Sequence, residues 1–303
     1  MYEAKELMFI YCVSPVHMGA GTALGAIDSP IQRERHTQHP MMAGTGIKGA
    51  LRHTAWERWH VRDEKTQGDA GERGKNGKAR LTRLFGPDTR DAPEHAGAVA
   101  FSDAALVLFP VRSLCRSFVY ATCPTALARL ERLATMAGIG GYPKLAALPE
   151  RDEAIVHNQD LVTTVNNAQN VVLEAFALTR KTDPKSPELA RWIASRVVPD
   201  GAEHDYFREK VETDLVVLHD DRFNFFVRNS TVVEPHVRID DESGTASDGG
   251  LFYVENLPPE SVLVSLVMAS PERRSNDAEK GNGGARLSAT DLLADLRQEF
   301  GGK

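Results

Sequence analysis

The sequence predicts an α+β fold, with strands and helices mixed but no regular strand–helix–strand alternation. Three observations carry this. Apolar runs of strand length, such as residues 104–111 and 261–268, are interspersed with stretches of helical periodicity. Polar, turn-rich segments at 63–80, 240–250 and 271–286 punctuate them. The composition, 42 % hydrophobic and 26 % charged over 303 residues, suits one elaborated domain spanning 1–303.

The elements follow in order. Residues 7–13 are apolar with an aromatic pair, Phe9 and Tyr11, and predict a strand that Pro15 ends. Residues 17–46, rich in Gly, His and Pro, predict a long ordered loop. Residues 47–62 predict a helix with Ile47, Leu51, Ala55 and Trp59 on one stripe. Residues 63–80 have almost no apolar side chains and predict a mobile insertion. Residues 104–111 and Phe118–Thr122 predict strands. Pro124–Met136 predicts a helix with Leu127, Leu130 and Leu133 on one face. Residues 138–160 read as irregular. Strands are predicted at 171–178, 223–227, 231–239, 251–255 and 261–268. Helices are predicted at 187–198, 206–215 and 287–300.

Charge and cysteine content limit the class. The formal net charge of −6 argues against a nucleic-acid binder when taken alone. Yet residues 31–90 hold 13 Lys/Arg and 7 Asp/Glu, a net of +6, which leaves 23 basic and 35 acidic residues elsewhere. That segment reads as a solvated loop or as a face for phosphates. No run reaches the length of a membrane helix. Residues 1–6 carry both charge signs, unlike a signal peptide. Cys12, Cys115 and Cys123 form no CxxC pair, which fits a reducing cytoplasm.

Three constellations carry chemistry. Gly19, Gly21 and Gly25 follow His17 in a GxGxxxG spacing, which makes a tight loop or an anion-binding loop. Gly44, Gly46 and Gly49 open the first helix, with Lys48 in its first turn and Arg52 one turn on. Its free N–H groups suit a phosphodiester, or the helix is simply Gly-started with two solvated cations. Asp28 stands before Pro30 and near Arg33, Arg35 and His36. It is a base toward a ribose 2′-OH, a Mg²⁺ ligand, or a turn cap. His17, His36 and His39 lack metal-ligand spacing.

The run HMGAGTALGAIDSPIQRERHTQHPMMAGTGIKGALR resembles the N-terminal signature of the RAMP-superfamily backbone subunit of type III-B CRISPR–Cas (Cmr) effectors. FSDAALVLFPVRSLCRSFVYATCPTAL and FNFFVRNSTVVEPHVRIDDESGTASDGGLFYVENLPPES resemble two further blocks of that family in order. The resemblance is weakest over 63–80 and 271–286.

The resemblance implies an RRM-like (ferredoxin-like) core with insertions and a protruding β-hairpin thumb over about residues 231–255. It implies partners: a CRISPR guide RNA, target RNA, further copies of the chain in a helical filament, and other type III effector subunits. It implies that the thumb kinks the guide and that Asp28 cleaves target RNA with a divalent metal, Mg²⁺ or Mn²⁺, which Asp28 would help to hold. The RNA-binding set expected is His17, Gly19 and Gly21 of the first loop, Arg33 and Arg35 beyond it, Gly44, Gly46, Lys48, Gly49 and Arg52 of the helix, and Arg238 of the thumb. The other functions weighed are a catalytically inactive guide-binding subunit and a metal-independent guide-processing ribonuclease using His17 or His36 as base. Two departures stand out. Pro235-His236 replaces a Thr-Arg of the family pattern. A Gly-rich loop and last strand that family members carry are missing, so that strand is truncated, supplied by another chain, or lost.

Overall fold

The computed structural model describes residues 2–21, 25–88, 95–165, 167–273 and 286–301. Most of the predicted 271–286 loop therefore lies outside the described residues, as do positions 22–24 of the first glycine loop.

Among the described residues an eleven-stranded, mostly antiparallel sheet organises the molecule. Its main path runs β1 (Ala4–Tyr11), β13 (Val262–Ala269), β4 (Ala104–Arg112), β5 (Phe118–Thr122), β10 (Leu215–Leu218), β6 (Glu153–Ile155), β9 (Phe176–Lys181), β8 (Ala168–Leu173) and β7 (Val162–Val165). Two short strands, β2 (Met41–Met42) and β3 (Val99–Phe101), pair with β4 and β13. The strongly apolar β13 is second in the path, flanked by β1 and β4, and almost wholly buried. β1 shows the period of two: Leu7, Phe9 and Tyr11 pack on one side, Met8 and Ile10 on the other.

Helices α3 (Pro124–Met136), α4 (Ser186–Val197) and α5 (Asp205–Thr213) cover the first face. The second face carries α6 (Asp220–Asn229) and the 17–43 loop, whose Met18 and Ile31 enter that core. At the end of the sheet, α1 (Gly44–Arg58), α2 (Asp69–Phe85) and α7 (Ala289–Phe300) build a third cluster. The predicted stripe on α1 holds: Ala55 is fully buried, with Ile47 and Trp59 nearly so.

Three expectations change. Residues 171–178 are not one strand but parts of β8 and β9, turned at Glu174 with φ of 49°. Residues 223–227 are helical, because Phe223, Phe226 and Val227 are an i, i+3, i+4 set that buries together in α6. Residues 63–80, expected as a mobile insertion, are largely helical: most of them form a 3₁₀ turn and α2. There Gly71, Gly74 and Gly77 are the buried face. A Cβ on Gly71 would stand 2.0 Å from Thr66 O, on Gly74 2.3 Å from Glu64 N, and on Gly77 2.1 Å from Trp59 O. The glycines let two backbones touch, then Leu81 and Leu84 continue the stripe.

That contact reverses a common substitution effect. An exposed helical Gly→Ala gains up to about 1 kcal/mol. Gly74→Ala should instead destabilise by about 2 kcal/mol, through overpacking against Glu64. A melting temperature equal to or above wild type would contradict the close approach.

The turn entering β13 holds Glu260 at φ of 68°, with its carboxylate accepting from the Tyr11 and Tyr120 phenols. Burial pushes the Glu260 carboxyl up to about 7. A carboxyl raised in the folded state adds stability in full below the ordinary Glu range and loses it as pH rises toward that value. Glu260→Gln should therefore raise the melting temperature at about pH 8 and leave it near wild type at about pH 5. No gain at the higher pH would contradict the assignment.

Candidate active site

A hairpin of β11 (Val232–Ile239) and β12 (Ala246–Asn256) forms a two-stranded sheet separate from the main one. Asp240 caps its tip, accepting from the Glu242 and Ser243 amides and the Ser243 hydroxyl. Val233, Val237, Leu251 and Tyr253 are exposed along it. Tyr253 lies opposite Pro235 in the register. The Tyr253 peptide bonds outward, so the pair does not exchange hydrogen bonds and Pro235 also faces outward. The missing Pro235 N–H thus falls on the free edge, where it breaks no ladder bond and discourages another strand from adding.

Asp28 is tied to this hairpin. Its Oδ2 accepts from the Tyr253 amide at 2.8 Å, the Ser29 amide donates to Tyr253 O at 3.1 Å, and the Glu255 amide donates to Ser29 O at 3.0 Å. Residues 28 and 29 thus lie along the outer edge of β12, at its base. Asp28 itself is exposed. It caps the hairpin strand rather than a turn before Pro30, and its Oδ1 has no partner among the described residues.

The support beneath is Glu255. Its side chain is 5 % exposed; Oε1 accepts from Arg33 Nη2 at 2.5 Å and from the Thr231 hydroxyl at 2.8 Å, and Oε2 from the Ile31 amide at 3.0 Å. Arg33 also donates to Gln38 O and Val227 O, both at 2.8 Å. His17 Nδ1 meets Glu255 O at 2.7 Å. Burial pushes the Glu255 carboxyl up, but the Ile31 amide, Arg33 and Thr231 together outweigh it and hold it below the ordinary Glu range. The pair ties the 17–40 loop, α6 and both hairpin strands into one unit. Spacing could not reveal Glu255 as the hub; the available signal was a carboxylate among apolar neighbours in a strand.

The other expected site residues fall into two groups. Gly19 bridges to Ile31 beneath His17, whose Nε2 stands 3.0 Å from where a Gly19 Cβ would lie. Gly21, with φ of 93°, and Arg35 are exposed. Arg238 is exposed farther along β11.

The second group is on α1. One amide of its first turn is engaged, because Gly44 N–H donates to Asp103 Oδ1 at 2.8 Å. Gly44 is there for closeness: a Cβ would meet Phe101 O at 2.3 Å. Gly46 and Gly49 lie open. Lys48 Nζ donates to Val99 O at 2.9 Å, and Arg52 to Gly86 O at 2.6 Å and Asp88 at 2.8 Å.

Among the described residues no cluster of three or more His, Cys, Asp or Glu could hold a metal. Asp28 is a single exposed carboxylate with one oxygen engaged. Its chemistry fits a hydrated Mg²⁺ or Mn²⁺ shared with a phosphate, not a cage built by protein alone. No helix among the described residues is long and apolar enough to cross a membrane.

Comparison with known proteins gives the family. The RAMP superfamily matches residues 9–299. A Pyrococcus furiosus protein named CRISPR system Cmr endoribonuclease Cmr4 is 33 % identical over 273 residues, covering 89 % of this chain and 83 % of that one. A Saccharolobus solfataricus protein named CRISPR system CMR subunit Cmr4 is 20 % identical, covering 88 % and 85 %. The crystal structure of oligomeric Cmr4 from P. furiosus shares the fold with a TM-score of 0.64 at 24 % identity, covering 99 % of this chain and 91 % of that one. A chain of a type III-B Cmr-beta complex bound to cognate target RNA gives 0.62 at 16 %, covering 96 % and 99 %. By the span of the family match and the identity to its P. furiosus relative, the chain belongs to the RAMP superfamily.

Proposed function

We propose that the chain is a backbone subunit of a type III-B CRISPR effector, binding guide RNA and cleaving the complementary target RNA. The observation that carries this is Asp28: an exposed carboxylate fixed to the Tyr253 amide at the base of a projecting hairpin. The support by relationship is the 33 % identical protein named a Cmr endoribonuclease. In this reading the sheet contains an RRM-like core and the hairpin is the thumb. Copies stack along the guide in a helical filament with other effector subunits, in the cytoplasm.

The chemistry follows from the geometry. Cleavage by a 2′-OH requires that oxygen in line with the leaving 5′-oxygen, which a continuous A-form duplex does not allow. A hairpin that displaces one nucleotide frees a phosphodiester, at a cost of a few kcal/mol in stacking. The 2′-oxygen then loses its proton and bonds to phosphorus, the bond to the 5′-oxygen breaks, and that oxygen takes a proton from water, leaving a 2′,3′-cyclic phosphate and a 5′-hydroxyl. Asp28 would take the 2′-OH proton, or would hold a divalent metal beside it while water takes that proton. A divalent cation there would neutralise charge on the phosphoryl oxygens. Glu255 and Arg33 position Asp28 by fixing residues 29–33 on β12. Arg35, Arg238 and the glycine backbone at 19–21 face RNA phosphates. Guide pairing supplies sequence, so the protein needs only backbone contacts.

The test is cleavage by the assembled complex with a guide and a complementary RNA. Cuts at regular intervals with Mg²⁺ or Mn²⁺, and none in EDTA, are expected. Absence of products with either metal would favour a purely structural subunit. Cleavage of repeat RNA in EDTA by the chain alone would favour a guide-processing ribonuclease.

A further inference from the structure

One face of α1 sets two aromatic rings beside open backbone. Gly46, Gly49, Ala50 and His53 follow an i, i+3, i+4, i+7 spacing, and Trp56 stands three residues after His53. All five are exposed. A Cβ added at Gly46 or Gly49 would meet no atom within 4 Å, unlike one at Gly44. Each mid-helix glycine costs about 1 kcal/mol relative to Ala, and no contact among the described residues offsets it.

The His53 and Trp56 ring planes are 6° from parallel, with centroids 6.4 Å apart. That is nearly twice the about 3.4 Å rise between stacked bases, so the two rings leave π surface free on each other. The His53 side chain is 73 % exposed and Trp56 37 %. The other two tryptophans, Trp59 and Trp192, are 9 % and 8 % exposed, and each already carries a guanidinium on its ring, Arg80 at 4.0 Å and Arg196 at 4.2 Å. Glu57 Oε1 lies 3.7 Å from His53 Nε2. A carboxylate there repels a phosphate and accepts from a base amino group, so this face suits a base rather than the RNA backbone.

We propose that the parallel His53 and Trp56 rings form a stacking site for one unpaired base of bound RNA, with its ribose against the open backbone of Gly46 and Gly49. Every base has a π face, so the contact is tolerant of sequence and guide pairing still sets specificity. The inference rests on the RNA-binding reading above and adds a base contact to it.

The experiment titrates single-stranded oligoadenylate into the full chain. Trp emission is read with unlabelled RNA, and affinity with a labelled copy across a salt series. Wild-type emission should be quenched at saturation, and Trp56→Phe should remove the quenching while keeping affinity within about threefold. Trp56→Leu should weaken binding by about 5- to 100-fold, the range for losing one aromatic–base stack. Its logarithmic salt slope should match wild type, because a ring contact releases no counterion. Melts should show both variants folded, since the side chain is at the surface. Unchanged affinity of Trp56→Leu, a slope reduced by about one unit, or unquenched emission at saturation would overturn the proposal and leave RNA binding standing. Reduced self-association of Trp56→Leu with RNA affinity unchanged would assign the face to a second copy of the chain and overturn it as well. Absence of wild-type binding would remove the RNA-binding reading and the site with it.

Discussion

Arg33→Ala should destabilise the protein by about 3 kcal/mol, because it leaves the buried Glu255 carboxylate without its cation. Its partner is 5 % exposed and Arg33 itself 15 %, so water replaces little of the lost contact. The damage should be local in character. Exchange of the Tyr253 and Glu255 amides, which hold Asp28 and Ser29, should accelerate more than that of β13. The pH dependence follows from the depressed Glu255 carboxyl. Its contribution is present above the ordinary Glu range and is lost as pH falls through the lowered folded value. The stability gap between wild type and Arg33→Ala should therefore narrow in acid. Urea unfolding at several pH values checks both statements. A gap under about 1 kcal/mol at neutral pH would reduce the pair to an ordinary surface bridge.

Asp28→Asn should lower target cleavage by at least about 100-fold while leaving guide and target binding intact, the scale expected for removing a base or metal ligand. Asn is more informative than Ala here. Asparagine keeps a carbonyl oxygen that can accept from the Tyr253 amide, so the hairpin base is preserved. Only the charge is lost. If Asp28 served as a cap alone, Asn would retain activity and Ala would lose it. Loss in both variants assigns the effect to the carboxylate. Stability should fall in the order wild type, Asn, Ala, because Asn keeps the bond without its charge and Ala loses the bond, a full span of about 1.5–3 kcal/mol.

The positive segment shows how far charge patterning reaches. Its +6 excess reads as a patch for phosphates, and the fold returns much of it to the chain's own acids. Arg33 meets Glu255, Arg52 meets Asp88, Arg58 and Arg80 meet Glu299, and Arg83 meets Glu272. Net charge over a window counts charges but not their partners. Periodicity was reliable where side chains do the packing, as in α1, α3 and β13. It failed over the first turns of α2, where the glycines at 71, 74 and 77 pack by backbone and leave no apolar pattern to read. It also failed at Glu174, a turn with no Gly or Pro to mark it. Asp28 was legible as a candidate, but the contact that fixes it joins residues 225 positions apart. No spacing within the 17–46 loop encodes that contact.

Single-turnover cleavage of a complementary RNA by complexes assembled with wild-type or Asp28→Asn chain, with target retention read on the same samples, is the most direct test. Retained target with no cut products from the Asn variant is the predicted result. Undiminished cleavage by that variant would remove Asp28 from the chemistry and contradict the account.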